Sequence, residues 1–295
     1  MKKVLITGAT GLLGSHLISH ASPDVEVFAT VHEYKTVPKL PNIQYVDLDV
    51  TDRAMVKKVL QDIRPEIVIH TAAHGRVDYC ENHPDEAKKT NLESTKYIVE
   101  ELNKWDGTIF FCSTNMVFDG EQPPYREENK TTGKTVYAQT KIASESYIQK
   151  HAKHFVIFRL MTMYGWNWQP ERKNMISMSI EKLTAKQELW MTNDVFNNML
   201  YVEETAKYFW KTVDNLASLD RQICHLAGAE CLNRYQTVEE LCSVFKFDPA
   251  LLHEVSSDYF KGQEVPRSPN TCFNTAKAEK ILSFRPLTIR EGLTR

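Results

Sequence analysis

The sequence predicts an α/β protein built on a doubly wound parallel sheet. Three observations carry this: short unbroken apolar runs, longer stretches of helical spacing between them, and a glycine-rich turn after the first run. The apolar runs cover residues 4–6, 25–31, 43–46, 67–69, 109–111 and 155–158. Runs that do not alternate with polar residues mark strands buried on both faces. The helical stretches cover 12–20, 52–63, 86–104 and 135–153. Strand–helix alternation of this kind gives parallel strands joined by right-handed crossovers, with helices on both faces.

Beyond Gly165 the rhythm changes. Residues 174–186, 203–213 and 237–245 read as helical, 188–191 and 222–226 as strands, and Pro266, Pro269 and Pro286 punctuate the tail. The expected organisation is a first domain over 1–165, to which 196–228 returns, and a smaller C-terminal portion made of 166–195 and 229–295.

Composition narrows the function classes. The 295 residues are 42% hydrophobic and 25% charged, with a formal net charge of −2. Disordered and collagen-like classes are excluded. No basic stripe is present to displace phosphate counterions, so nucleic acid is not an expected partner. No run of apolar residues is long enough to span a bilayer, and no targeting signal is read. The six cysteines lack C-x-x-C spacing, which argues against zinc and redox pairs. They are expected to be free thiols in a reducing, cytoplasmic setting, with Cys112 a buried small hydrophobe.

Residues 7–14 read TGATGLLG between the first strand and the first helix. Gly8 permits a tight turn, Gly11 lets backbone N–H groups approach a pyrophosphate, and Gly14 permits close helix–strand packing. Thr10, Leu12 and Leu13 share this loop, whose helix N-terminus favours an anion. The fold expectation therefore sharpens to a Rossmann-type dinucleotide-binding domain, with the smaller portion left to bind substrate. No acidic residue closes the second strand to grip a ribose 2′-OH. His32 and Lys35 instead suit a 2′-phosphate, which favours NADP(H) and leaves NAD(H) open. Asp49, beside Val50, is placed to accept from an adenine amino group, and Asp52 reads as an N-cap.

Tyr137 and Lys141 lie four residues apart in a helical stretch and so share a face. A phenol with pKa near 10 exchanges protons poorly at pH 7, and a neighbouring ammonium is expected to draw it down. Thr114, just after the fifth apolar run, supplies a hydroxyl to polarise a carbonyl. Glycine loop, Thr114, Tyr137 and Lys141 together describe hydride transfer to a ketone with Tyr137 as proton donor.

On these residues the chain resembles the extended short-chain dehydrogenase/reductases, and within them the dTDP-4-dehydrorhamnose reductase branch. The matching pieces, in family order, are TGATGLLG (7–14), DVTD (49–52), RPEIVIHTAAH (64–74), VDYCENHPDEAKKTN (77–91), STNMVFDGEQPPYREEN (113–129), YAQTK (137–141), FRLMTMYG (158–165) and VPRSPNTCFNTAK (265–277). The resemblance implies Thr114, Tyr137 and Lys141 as the catalytic set and Asn91 in a supporting, water-holding role. It also implies nicotinamide-side contacts from Thr71, Ala72 and Ala73, and a small-molecule nucleotide-sugar substrate. A homodimer is left open.

Three departures fall where the family touches the sugar. Asn115 and Met116 replace the usual Asp and Tyr, Thr162 stands where a tryptophan is typical, and 194–201 (DVFNNMLY) matches its motif only at the ends. These imply a conserved reductase with an altered sugar pocket. Arg267 is a candidate for the nucleotide diphosphate, while Arg172 and Lys173 read as solvated. Tyr164, Trp166 and Trp168 read as domain-boundary packing, Glu127 and Glu128 as exposed. His70, His74 and His83 lack metal-ligand spacing, so no metal is expected. Two other readings stand beside the reductase: a nucleotide-sugar epimerase or dehydratase, and a non-catalytic regulatory subunit similar to the methionine adenosyltransferase beta subunits.

Overall fold

The computed structural model of the protein describes residues 1–32, 40, 42–169, 171–262, 265 and 267–295; Lys35 and Pro266 lie outside them. The apolar runs become β1 (Lys2–Thr7), β2 (Val25–Val31), β3 (Ile43–Asp47), β4 (Ile67–His70), β5 (Thr108–Thr114) and β6 (His154–Leu160). Later strands are β7 (Met163–Tyr164), β8 (Leu189–Thr192), β9 (Phe196–Asn197), β10 (Leu200–Tyr201), β11 (Gln222–Leu226), β12 (Leu232–Asn233) and β13 (Leu252–Val255). The helices in the first half are α1 (Leu12–Ser19), α2 (Arg53–Ile63), α3 (Val77–Asn82), α4 (Pro84–Lys88), α5 (Ser94–Leu102) and α6 (Val136–His151). Of those that follow, α7 (Met175–Thr184), α8 (Val202–Asp214) and α9 (Arg234–Phe245) matter below.

Seven strands form one sheet in the order β11-β6-β5-β4-β1-β2-β3, and every neighbouring pair is parallel. The chain winds outward from β1 in one direction and from β4 in the other. That reversal opens a crevice beyond the carboxyl ends of β1 and β4, where such sheets bind ligands. Successive strand residues face opposite sides. Val4 and Ile6 join an apolar cluster with Leu17 of α1 and Phe209 of α8, while Leu5 joins the opposite one with Leu60, Leu102 and Ile148. The Trp210 indole N–H of α8 donates to Leu17 O at 2.8 Å, and β11 extends the sheet beside β6.

The N-cap read from the sequence at Asp52 holds. The Asp52 carboxylate accepts from the N–H groups of Ala54 and Met55 at 2.8 and 3.1 Å, capping α2. Pro84 opens α4, where its missing N–H costs nothing. The stretch read as one helix over 86–104 is instead α4, a π-turn at Lys89–Glu93 and α5. Helix α3, at Val77–Asn82, has no counterpart in the sequence reading.

A third apolar cluster, with Ile176, Leu189, Met191, Val238 and Leu241, joins α7, α9 and β8 beyond the sheet. Tyr164 joins this cluster and Trp168 packs against the first one, but Trp166, expected to pack, is 66% exposed. Among the described residues no helix is long and apolar enough to cross a membrane.

Candidate active site

Two cavities meet at the glycine loop. One, of about 560 Å³, is lined by Gly11–Gly14, Thr71, Ala73, Thr114, Tyr137 and Lys141. The other, of about 600 Å³, runs over Gly8, Thr10, Gly11, His32, Asp49, Val50 and Thr71–Ala73. Gly8 has φ +67°, and a Cβ there would lie 2.7 Å from Ala72 N; a Cβ on Gly14 would lie 2.3 Å from Gly8 O. These contacts bring α1 and the β4 loop close enough for its backbone to line the crevice. No side chain caps α1, so its first N–H groups remain to meet an anion.

Beneath the loop, one chain of hydrogen bonds ties β1 to β4. Ala72 N–H donates to Thr7 Oγ1 at 3.2 Å, and that hydroxyl lies 2.7 Å from His70 Nδ1. Ser94 Oγ donates to Thr90 O at 2.5 Å and lies 3.3 Å from His70 Nε2. One tautomer satisfies the whole chain: Nδ1 accepts from Thr7, and Nε2–H donates to Ser94. Burial and the Lys141 charge push His70 down to about 3, so the ring is neutral at ordinary pH.

Thr114, Tyr137 and Lys141 converge on the first cavity. Thr114 ends β5, and its Oγ1 accepts from Met116 N–H at 3.2 Å and donates to Asn115 Oδ1 at 3.3 Å. Lys141 follows one turn along α6, buried at 2% exposure. Burial pushes the Tyr137 phenol up to about 12, against the downward pull of the Thr114 hydroxyl. It also pushes Lys141 down to about 8, against the opposing influence of Cys112 and Glu145. The expected lowering of the phenol by the lysine is therefore reversed, because the cost of taking the phenolate from water dominates. A protonated phenol is the form that can deliver a proton.

Asn91, to which the resemblance gave a supporting role, is held by partners on several elements. It lies in the π-turn at 1% exposure, with Oδ1 accepting from His74 N–H at 2.8 Å. Its amide donates to His74 O and Thr140 Oγ1, and its backbone carbonyl accepts from the Thr95 and Ser144 hydroxyls. The side chain ties the β4 loop to α6. Cys112 is also revised: half-buried, it lines the cavity wall, and burial pushes its thiol up to about 12.

At the far end of the crevice, Asp49 Oδ1 accepts Thr51 N–H at 2.8 Å, while His32 stands exposed at the rim. Lys89 and Arg172 line the same cavity. Arg172, read as solvated, stands 161 positions beyond Gly11 in the chain, a separation that carries no local sequence signal.

On the substrate side, Met116, Thr162 and Arg267 line the first cavity with Asn115, whose amide donates to Thr271 Oγ1 at 2.7 Å. Arg267 is paired with Asp78 at 2.6 Å. Thr162, Asn197, Arg234 and Arg267 also line an adjoining cavity of about 550 Å³ walled by Met175, Met178, Trp190, Met191 and Phe260. Lys173 borders it while pairing with Glu181. Glu127 is half-buried and accepts from His225 N–H at 2.9 Å, correcting its assignment to the surface. Cys231 and Cys272 form a disulfide, so the expectation of six free thiols fails. Among the described residues no His, Cys, Asp or Glu group could hold a metal ion.

Comparison with known proteins follows this geometry. The family described as RmlD substrate binding domain matches residues 1–295. Methionine adenosyltransferase 2 subunit beta of Bos taurus is 24% identical over 282 residues, covering 90% of this chain and 79% of that protein. Spore coat polysaccharide biosynthesis protein SpsK of Bacillus subtilis is 26% identical over 295 residues, covering 99% and 96%. The crystal structure of dTDP-4-dehydrorhamnose reductase from Bacillus anthracis, in complex with NADP, superposes with a TM-score of 0.85 at 23% identity, covering 100% of this chain and 98% of that one. The structural likeness fixes the fold, and the family match runs the length of the sequence. The chain belongs to the RmlD substrate binding domain family.

Proposed function

We propose that the protein reduces a 4-keto-6-deoxy nucleotide sugar with a nicotinamide dinucleotide, NADP(H) favoured. The observation that carries this reading is the convergence of Thr114, Tyr137 and Lys141 on a cavity floored by the glycine loop. The crevice fits a dinucleotide: a Cβ would fill the cradle at Gly8 and Gly14, and the open N-terminus of α1 faces the pyrophosphate position. Gly8, Thr10 and Gly11–Gly14 would hold the pyrophosphate, Thr71–Ala73 the nicotinamide side, and Asp49 and Val50 the adenosine. Lys89 and Arg172 supply the positive charge that favours a 2′-phosphate, with His32 lining the same cavity.

A reduced nicotinamide, when bound, supplies the hydride for the keto carbon. Tyr137 delivers its phenolic proton to the oxygen as negative charge develops there. Thr114 orients the carbonyl, and the Lys141 ammonium stabilises the phenolate left on Tyr137. The sugar occupies the first cavity, Arg234 and Arg267 meet the diphosphate, and the thioether- and aromatic-walled cavity takes the base. In this reading 1–165 with 196–228 serve the dinucleotide, and 166–195 with 229–295 the substrate. Asn115, Met116 and Thr162 point to a sugar other than the rhamnose precursor.

Purified protein mixed with NADPH and thymidine- or guanosine-linked 4-keto-6-deoxy sugars should lose nicotinamide absorbance with one of them. An epimerase or dehydratase would yield product without net loss. The likeness to methionine adenosyltransferase 2 subunit beta supports a second reading, a nucleotide-binding regulatory subunit. Consumption of no keto sugar, with co-purification of a synthetase, would favour it.

A further inference from the structure

Glu145 continues the face of α6 that carries Tyr137 and Lys141, again four residues on, and is 2% exposed. Its Oε1 accepts a hydrogen bond from the Ser113 hydroxyl. Arg159 grips the same carboxylate, with Nε 3.1 and 3.2 Å from the two oxygens and Nη2 2.8 Å from Oε2. Ser113 of β5, Arg159 of β6 and His225 of β11 stand in register across three adjacent strands. The remaining Arg159 nitrogen, Nη1, donates to Glu127 O at 3.1 Å and to His225 Nε2 at 3.3 Å. One carboxylate thus joins the catalytic helix to a polar row crossing the sheet, at the residue preceding Thr114.

Resting on the reductase reading, we propose that Glu145 is a positioning residue: it clamps α6, and with it Tyr137 and Lys141, against the Ser113–Thr114 end of β5. Stability alone does not account for the clamp, since buried ion pairs replaced by well-packed apolar groups are often as stable or more so. Its location does account for it. Thr114 from β5 and Tyr137 from α6 line one cavity across the α6–β5 seam, and a misplacement of one ångström there costs rate steeply. The groups facing Lys141 are His70 from β4, Cys112 from β5, and Glu145 on its own helix. Glu145, paired with Arg159, is the carboxylate of that set, and it acts to raise the Lys141 titration and so favours the charged ammonium.

Two variants of the full-length chain test this. Ser113→Ala removes one tie and leaves the ion pair; Glu145→Gln/Arg159→Met removes both charges together, avoiding a stranded buried arginine. Ser113→Ala is expected to lose roughly tenfold in kcat, with NADPH affinity and Tm near wild type. In the double variant, lysine-selective NMR of the substrate-free protein should show the Lys141 titration midpoint lowered by about one pH unit. An unaltered kcat in Ser113→Ala, or an unmoved Lys141 midpoint in the double variant, overturns the proposal. The NMR measurement needs no substrate. If the wild-type chain reduces no keto sugar, the reductase reading fails and the midpoint alone decides the clamp.

Discussion

Lys141 carries its ammonium 3.9 Å from the centroid of the Phe111 ring, one helical turn beyond Tyr137. The ring face attracts the cation, yet the apolar wall it belongs to removes water, and burial prevails: the amine is pushed down to about 8. Tyr137, pushed up to about 12, keeps its proton across the physiological range.

The pH dependence follows from these two directions. The proposed mechanism requires protonated Tyr137 and charged Lys141. The charge on Lys141 is present below pH 8 and lost as pH rises through its value of about 8, well before Tyr137 ionises. Plotted against pH, kcat/KM should therefore fall on the alkaline side with a midpoint near 8, reporting the free enzyme. Lys141→Arg, whose guanidinium stays charged, should remove that midpoint even if its overall rate is low. A profile flat to pH 10 in the wild type would contradict the assignment.

The glycine cradle makes a separate prediction. Gly8→Ala must place a side chain at φ +67° and within 2.7 Å of Ala72 N. Neither can be relieved without moving the β1 and β4 loops apart. Stability should drop by about 1–3 kcal/mol, and NADPH binding, followed by nicotinamide fluorescence, should weaken by at least tenfold. Binding at wild-type affinity would show that the loop does not shape the dinucleotide site.

The cysteines give a chemical count. With Cys231 joined to Cys272 and four others free, alkylation of the unfolded, unreduced chain should label four thiols, and six after reduction. The bridge closes a loop over a sequence separation of 41. Reduction should cost about 3–4 kcal/mol of stability on the chain-entropy account. Six labelled thiols without reductant would remove the bridge.

Local features of this chain were legible in sequence, and relations between distant segments were not. Unbroken apolar runs at 4–6 and 67–69 state their own burial, and Asp52 and Pro84 carry cap chemistry within a turn of where it acts. The spacing of Tyr137 and Lys141 puts them on one face, which is all that spacing can give. The direction of their titration depends on Phe111, Cys112 and the surrounding walls, so burial reversed the expectation drawn from the pair alone. The partners of Asn91, His74, Thr140 and Ser144, come from a loop and another helix and leave no local signal. Glu145 sat unremarked one turn past Lys141, since its meaning lies in Arg159 and Ser113. Arg172 and the Cys231–Cys272 bridge are products of tertiary packing in the same way.

The central claim is hydride delivery to a sugar ketone with Tyr137 as proton donor. It is tested most directly with NADPH carrying deuterium at the transferred position, the keto sugar, and mass spectrometry of the product. The account predicts one deuterium in the product per nicotinamide oxidised. It also predicts a loss of at least about 100-fold in that transfer for Tyr137→Phe, with dinucleotide binding retained. Product formed without deuterium, or full transfer by Tyr137→Phe, would contradict it.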